Sequence, residues 1–325
     1  PGLFTAMRGF EWTSDRFGHA NVYLSRNNIN AKLGPGYLVS MDLFWQWFVL
    51  SPQLGGGGDG ILVFNHPGRE DALHSVLLQI GEGVGQATRM AGALNALNVF
   101  QQGDPAYAFN DFKYVAPADY RVVGLEVFGK GDEYDTDGKF GSWYGHALDK
   151  GWYVGPAGSE DHHETNWGGA NLPKTVVIAR ANNQADIREA FLARRFYTVA
   201  QNENALRMNF EAIQGNQRLP MGSRIGTQDN TVQFEVGIRS TQAMDPLQDM
   251  SFELFSSQSG PGSNDEQRYL PLQTETGKNG RFTVSPADGK NWYFVRVKRG
   301  DRIVAVSAPI WIFKGSEPLP ECAAS

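Results

Sequence analysis

Two patterns of apolar and polar positions divide the chain. In roughly the first two hundred residues, continuous apolar runs alternate with segments of helical spacing. "ILVFNHPG" (61–68), "YRVVGLEVFG" (120–129) and "KTVVIARA" (174–181) read as buried strands with loops at their C-terminal ends. Between them, "REDALHSVLLQIGEGV" places Leu73, Val76, Leu77 and Ile80 at helical spacing. "NQADIREAFLARRFYTVA" does the same with Ile187, Ala190, Phe191 and Phe196, and Asn183 or Asp186 is a candidate cap. Strands alternating with helices predict an α/β layer or barrel. From about Leu206 the period changes. "ALRMNFEAI", "NTVQFEVGIRS", "MSFELFSS", "GRFTVSP", "WYFVRVKR" and "IVAVSAPIWIF" are short alternating segments separated by "GSNDE", "GKNG" and "PADGK". They predict an all-β sandwich of immunoglobulin-like size. The expected division is therefore 1–204, 205–315 and a polar tail, 316–325.

Composition narrows this picture. A chain of 325 residues can bury a sizeable core in about two domains. A net charge of −6 argues against a nucleic-acid or anionic-membrane surface. No run reaches the length of a membrane span; "YLVSMDLFWQWFVL" is too short and carries Asp42 and Gln46. The single cysteine, Cys322, allows neither an intrachain disulfide nor a Cys-ligated zinc. The chain opens at "PGLFTAMRGF" without an initiator methionine or signal peptide, so an upstream segment removed from it is expected. "GGGGDG" (55–60) reads as a flexible loop; it lacks the Lys-Ser/Thr pair of a phosphate-binding loop and carries no nucleotide role.

Candidate chemistry gathers around four of the six histidines. Glu11 and His19 lie in "GFEWTSDRFGHANVY", His66 in "FNHPG", and Glu160, Asp161, His162 and His163 in "GSEDHHETNWGG". Carboxylates and imidazoles together suit zinc, manganese or iron. A lone loop histidine is more often a hydrogen-bonded loop residue than a ligand, so the set carries the reading. Arg69 and Lys130 are candidates for an anionic substrate group and His146 for a substrate contact. Trp12, Trp143, Trp152 and Trp167 are candidate pocket walls, though large aromatics more often build core. Glu126 in "GLEVFG" is a candidate for orienting a ligand histidine. His74, on a predicted helix, reads as surface or packing.

Taken in order, "RGFEWTS…GHANVY", "FNHPG", "GLEVFGKG" and "AGSEDHHETNWG" resemble the later motifs of the PHP (polymerase and histidinol phosphatase) metallohydrolases, nearest the carbaryl-hydrolase-like branch. "IREAFLARRFYTVA" and "YFVRVKRGDRIVAVSAPIWIF" look like that branch too, so the resemblance spans nearly the whole chain. It implies a distorted (β/α)7 barrel followed by the sandwich, and a cluster of up to three divalent metals. Glu11 would bridge two of them, and His19 and His66 would complete one site. Asp161 and His163 would each serve one of the others. Counted from "GS", the ligand places of that loop fall instead on Glu160 and His162; counted back from "NWG" they fall on Asp161 and His163, which keeps the aspartate usual in the family.

The family's H-x-H and T-D-H motifs are absent and would lie upstream of Pro1, in a segment cleaved, omitted or lost. An upstream segment or self-association would then cover the exposed barrel edge. The implied activity is hydrolysis of a small phosphoester or carboxyl or carbamate ester by a metal-activated water, with Glu11 and Asp161 at its centre, in a secreted or periplasmic protein. The alternative is a non-catalytic binding or structural protein on a degenerate barrel.

Overall fold

The computed structural model describes residues 3–14, 17–31, 39–67, 109–129, 132–133, 142–163, 165, 168, 172–243, 247–257 and 269–315. The first sheet contains β1 (Gly9–Ser14), β2 (Gly18–Tyr23), β3 (Ile61–Asn65), β4 (Val122–Gly129), the short β5 (Asp132–Glu133) and β6 (Gly155–Ser159). Its order is β1-β2-β3-β4-β5, with β6 also on β4. β1, β2 and β3 form an antiparallel meander, whereas β3, β4 and β6 run parallel. Among the described residues, helices α1 (Met41–Val49), α2 (Trp143–Asp149) and α3 (Gln184–Leu192) accompany it, with a short helical turn at Phe109–Phe112. Ser40 caps α1 through Leu43 N, Ser142 caps α2 through Gly145 N, and Asn183 caps α3 through Asp186 N.

The remaining strands are β7 (Lys174–Val177), β8 (Phe196–Val199), β9 (Leu206–Gln214), β10 (Gln217–Pro220), β11 (Arg224–Thr227), β12 (Val232–Ser240), β13 (Met250–Ser256), β14 (Gln273–Thr276), β15 (Asn279–Val284), β16 (Gly289–Arg299), β17 (Arg302–Ser307) and β18 (Ile310–Lys314). They form a four-stranded sheet, β10-β9-β12-β15, and an eight-stranded sheet, β11-β18-β16-β17-β8-β7, with β13 on β16 and β14 on β13. The sandwich expected from the alternating segments is present between these two sheets.

The expected PHP-type (β/α)7 barrel is corrected by this topology. Strands dominate, the first sheet is open and mixed, and no closed barrel forms among the described residues. The third apolar run does not join the first sheet at all: β7 pairs with β8, which pairs with β17 of the sandwich. The eight-stranded sheet therefore runs across the division expected at 204/205. The cause is local. Helix α3 stops at Leu192, Arg194 takes a left-handed φ of 53°, and the aromatic, β-branched "FYTV" returns at once as β8. Phe196, expected on a helix face, is a strand residue. The expected helix around Leu73 to Ile80 lies outside the described residues.

Burial follows strand parity. Trp12, Ala20, Val22, Leu62 and Phe64 point from the first sheet into a core shared with α1 and α2, while Ile61, Val63 and Val123 point to the face covered by Phe191 and Leu192 of α3. β16 is buried on both faces. Trp292 and Phe294 join the helix-side core, and Tyr293, Val295 and Val297 fill the sandwich. The eight-stranded sheet is thus the middle layer of the molecule.

Two further features fix the layers. The glycine loop expected to be flexible is packed: a Cβ on Gly57 would lie 2.5 Å from the Trp47 ring, whose Nε1 donates to Gly55 O at 3.0 Å. Arg121 donates to Gly57 O and Gly60 O at 3.0 and 2.9 Å. The second feature is Arg194, which is fully buried. Its five donors all meet backbone carbonyls: Tyr153 O at 2.5 Å, Tyr120 O at 3.1 Å, Asp119 O at 2.9 Å, Val122 O at 3.0 Å, and Leu192 O. Burial and the neighbouring Arg224 lower its pKa to about 10, so it stays charged at neutral pH. No helix of the described residues is long and apolar enough to cross a membrane.

Lysine offers three donors and no planar fork. Arg194→Lys should therefore lower the unfolding free energy by about 2–4 kcal/mol, from carbonyls left without partners in the core. Denaturant unfolding of the variant beside the parent checks this.

Candidate metal centre

The site forms where the α3-side face of the first sheet turns from apolar to polar. In the ladder, Glu11 lies opposite Asn21, Thr13 opposite His19, and His19 opposite Asn65. Glu11, His19, Asn21 and Asn65 therefore share a face, since residues directly opposite across a ladder point the same way. Strict alternation would send His66 to the other face with Phe64. At His66 the backbone instead takes φ 24°, ahead of Pro67, and the ring turns back towards Glu11.

Glu11 Oε1 lies 3.5 Å from His19 Nδ1 and 3.7 Å from His66 Nε2. The two imidazoles meet edge-on with centroids 4.7 Å apart. One donor atom from each of the three residues falls within 4.8 Å of the others, the one such group of three or more His, Cys, Asp or Glu found among the described residues. Asn65 Nδ2 donates to Glu11 Oε1 at 2.8 Å and holds the carboxylate in place. The Glu11 and His19 side chains keep 28% and 26% of their exposure, enough for an ion to reach them, while His66 keeps 9%.

Behind this group stands Glu126 of β4, almost fully buried. Its Oε2 accepts His66 N–H at 2.6 Å, and its Oε1 accepts the Ser159 hydroxyl of β6. Glu126 thus orients His66 through the backbone of the turn. Burial raises the Glu126 pKa despite the help of Ser159 and His66. Burial also opposes charge on Glu11, but His19, His66 and Asn65 outweigh it and hold that carboxyl well below the usual range. On His66, burial favours the neutral ring, and Glu11, with Glu126 and Asp161 beyond it, overcomes this and raises the pKa.

Asp161, His162 and His163 line the same cavity of about 220 Å³ as Glu11, His66, Glu126 and Ser159. They stand outside the tight donor group. Asp161 takes φ 41°, and its carbonyl lies 3.0 Å from His163 Nδ1, within the loop itself. The alternative ligand Glu160 is committed elsewhere: it accepts from Lys174 Nζ at 2.8 Å and Gly168 N at 2.9 Å. Those bonds lower its pKa against the effect of burial.

Of the other expected residues, Arg69, Trp167, His74 and Lys130 lie outside the described residues. His146 on α2 is not among the residues lining this cavity; its Nε2 meets Asp111 Oδ1 at 2.8 Å, with Phe112 and Trp143 beside the ring. Trp12, Trp143 and Trp152 are core. Asn21, Asn65 and Ser159 were not foreseen. Asn65 had a signal, since it directly precedes His66 in "FNHPG".

No family model matches the chain, and no curated protein matches it. A solved structure of a DUF3823 family protein from Bacteroides ovatus ATCC 8483 is similar at 12% identity over 37% of this chain and 75% of that one, with a TM-score of 0.20. A likeness that loose assigns neither fold nor function. With the open sheet in place of a barrel, the resemblance to the PHP hydrolases is set aside.

The pKa directions give a pH dependence in metal-free protein. The low folded pKa of Glu11 contributes stability above about pH 4.3, lost as pH falls. The raised folded pKa of His66 contributes stability below about pH 6.5, lost as pH rises through the folded value. The excess stability of the parent over Glu11→Gln should therefore peak between these values, at on the order of 1 kcal/mol, and shrink on both sides. Thermal unfolding of the chelator-treated pair from pH 3 to 9 reads it.

Proposed function

We propose that Glu11, His19 and His66 hold one divalent transition-metal ion (zinc, manganese or iron) and that the protein is a metal-dependent hydrolase of small ester substrates. The observation that carries this reading is the pair of separations at Glu11 Oε1, 3.5 and 3.7 Å. Both are too long for useful hydrogen bonds. They suit donors flanking a common ion, because tetrahedral ligands at about 2.1 Å from a metal stand roughly 3.4 Å apart. Two imidazoles and one carboxylate also leave coordination positions open, as a catalytic site requires.

An ion held there would lower the pKa of a coordinated water towards neutrality and polarise a substrate oxygen. The chain's own residues supply the rest. Asn65 orients the Glu11 carboxylate, and Glu126 fixes the His66 turn. Asp161, 18% exposed and on the cavity wall, would take a proton from an attacking water. His163, 73% exposed, stands at the solvent side of the loop, where it can meet the substrate. The small, polar cavity favours compact phosphoesters or carboxyl or carbamate esters over polymers.

The test is turnover of nitrophenyl phosphate, nitrophenyl acetate and an aryl carbamate by the metal-loaded chain. Activity should vanish with chelator, return with one of the three metals, and fall at least ~100-fold in Glu11→Ala and His66→Ala. Asp161→Asn should lower kcat about 100- to 10,000-fold while metal content stays unchanged. Turnover indifferent to chelation, or absent with the metal shown bound, would refute the hydrolase.

A further inference from the structure

A second site is built far from the first in the ladder of strands. At the open end of the sandwich, β7 faces the start of β9 and the end of β12 across a cleft of about 620 Å³. Its lining is mixed: Val176 and Ile178 of β7 and the Tyr197 ring supply apolar surface, and Arg207, Asn209, Arg239 and Asn279 supply polar groups. Ile178 keeps 43% of its exposure, an uncovered aliphatic side chain at the mouth.

Two arginines also line the cleft. Arg207 and Arg239 are direct cross-strand partners in the β9/β12 ladder. Like charges placed opposite each other in this way destabilise a sheet unless something neutralises them. Among the described residues no carboxylate does so here. Arg207 donates to the carbonyls of Asn204 at 2.8 Å and Leu206 at 2.9 Å and to the Tyr197 hydroxyl, none of them a carboxylate. The Arg239 side chain has no hydrogen bond or ion pair among the described residues. Elsewhere on the same sheet the arginines are matched: Arg218 meets Glu211 and Glu235, and Arg281 meets Glu235. Burial raises the Tyr197 pKa, and the Met208 backbone and the two nearby guanidinium groups offset part of that rise.

We propose that this cleft binds an amphipathic organic carboxylate, its hydrocarbon body against Val176 and Ile178 and its carboxylate between Arg207 and Arg239. A carboxylate can bridge two guanidinium groups by charge-assisted bonds, and the aliphatic walls take the part that water rejects. The chain carries a net charge of −6, so this paired positive feature is local rather than a general attraction for anions. The proposal does not depend on the metal centre.

Octanoate and its neutral counterpart octanamide are the probes, titrated calorimetrically into the full chain up to ~10 mM, the range of a weak small-ligand site. Octanoate should bind, and octanamide about tenfold or more weaker. Arg239→Gln, which breaks no internal bond, should weaken octanoate by about tenfold and leave octanamide unchanged. Thermal unfolding of the variant confirms that it folds, and Ile178→Asp provides a second arm that should abolish both affinities. Equal affinity for the acid and the amide, octanoate binding unchanged in Arg239→Gln, or no heat from octanoate across the range would each overturn the proposal.

Discussion

A buried guanidinium sets the geometry on which the candidate site rests. Arg194 gathers the carbonyls of Asp119, Tyr120 and Val122 ahead of and at the start of β4, of Tyr153 just ahead of β6, and of Leu192 at the end of α3. Two parallel strands thereby begin level with one another. Glu126, level with Ala157, and Ser159, two residues further along β6, then join through the Glu126 carboxylate. The other oxygen of that carboxylate takes the His66 amide. The His66 ring faces Glu11, which Asn65 holds in place. A charge with no carboxylate partner in the core is costly unless every donor is satisfied. Here all five are, and the return is a fixed relation among three strands.

The first sheet then separates packing from chemistry by strand parity alone. Trp12 and Glu11 are neighbours in sequence, yet one is 1% exposed in the core while the other holds the centre of the cavity's donor group. The break at His66 adds the third donor without a further strand. The middle sheet works on the same rule with both faces buried, so β16 fixes the sandwich to the helical layer through alternate residues.

Much of the site was legible in the sequence. Glu11, His19 and His66 stood out because carboxylate and imidazole near strand ends are ligand types, and those three do converge. The pairing of Asp161 and His163 with them was legible only in part: the loop reaches the cavity, but its groups stay outside the tight cluster. The fold was less legible, for a physical reason. A continuous apolar run signals a strand buried on both faces, and that arises in a parallel barrel or in the middle layer of stacked sheets alike. "KTVVIARA" and "YFVRVKR" belong to the second case. Arg194 gave no signal, since an arginine in "FLARRFYTV" reads as a solvated charge until its five acceptors are seen. Glu126 was legible as a residue that orients a histidine, but its route, through the backbone amide, appears only in three dimensions.

The central claim is that one ion sits between two imidazoles and a carboxylate on the first sheet. Anomalous diffraction from zinc-soaked crystals of the chain tests it most directly. One strong peak within about 2.3 Å of Glu11, His19 and His66, absent in His66→Ala, is the expected result. A peak held by Asp161 and His163 alone, or no peak near Glu11 at full zinc occupancy elsewhere, would contradict it.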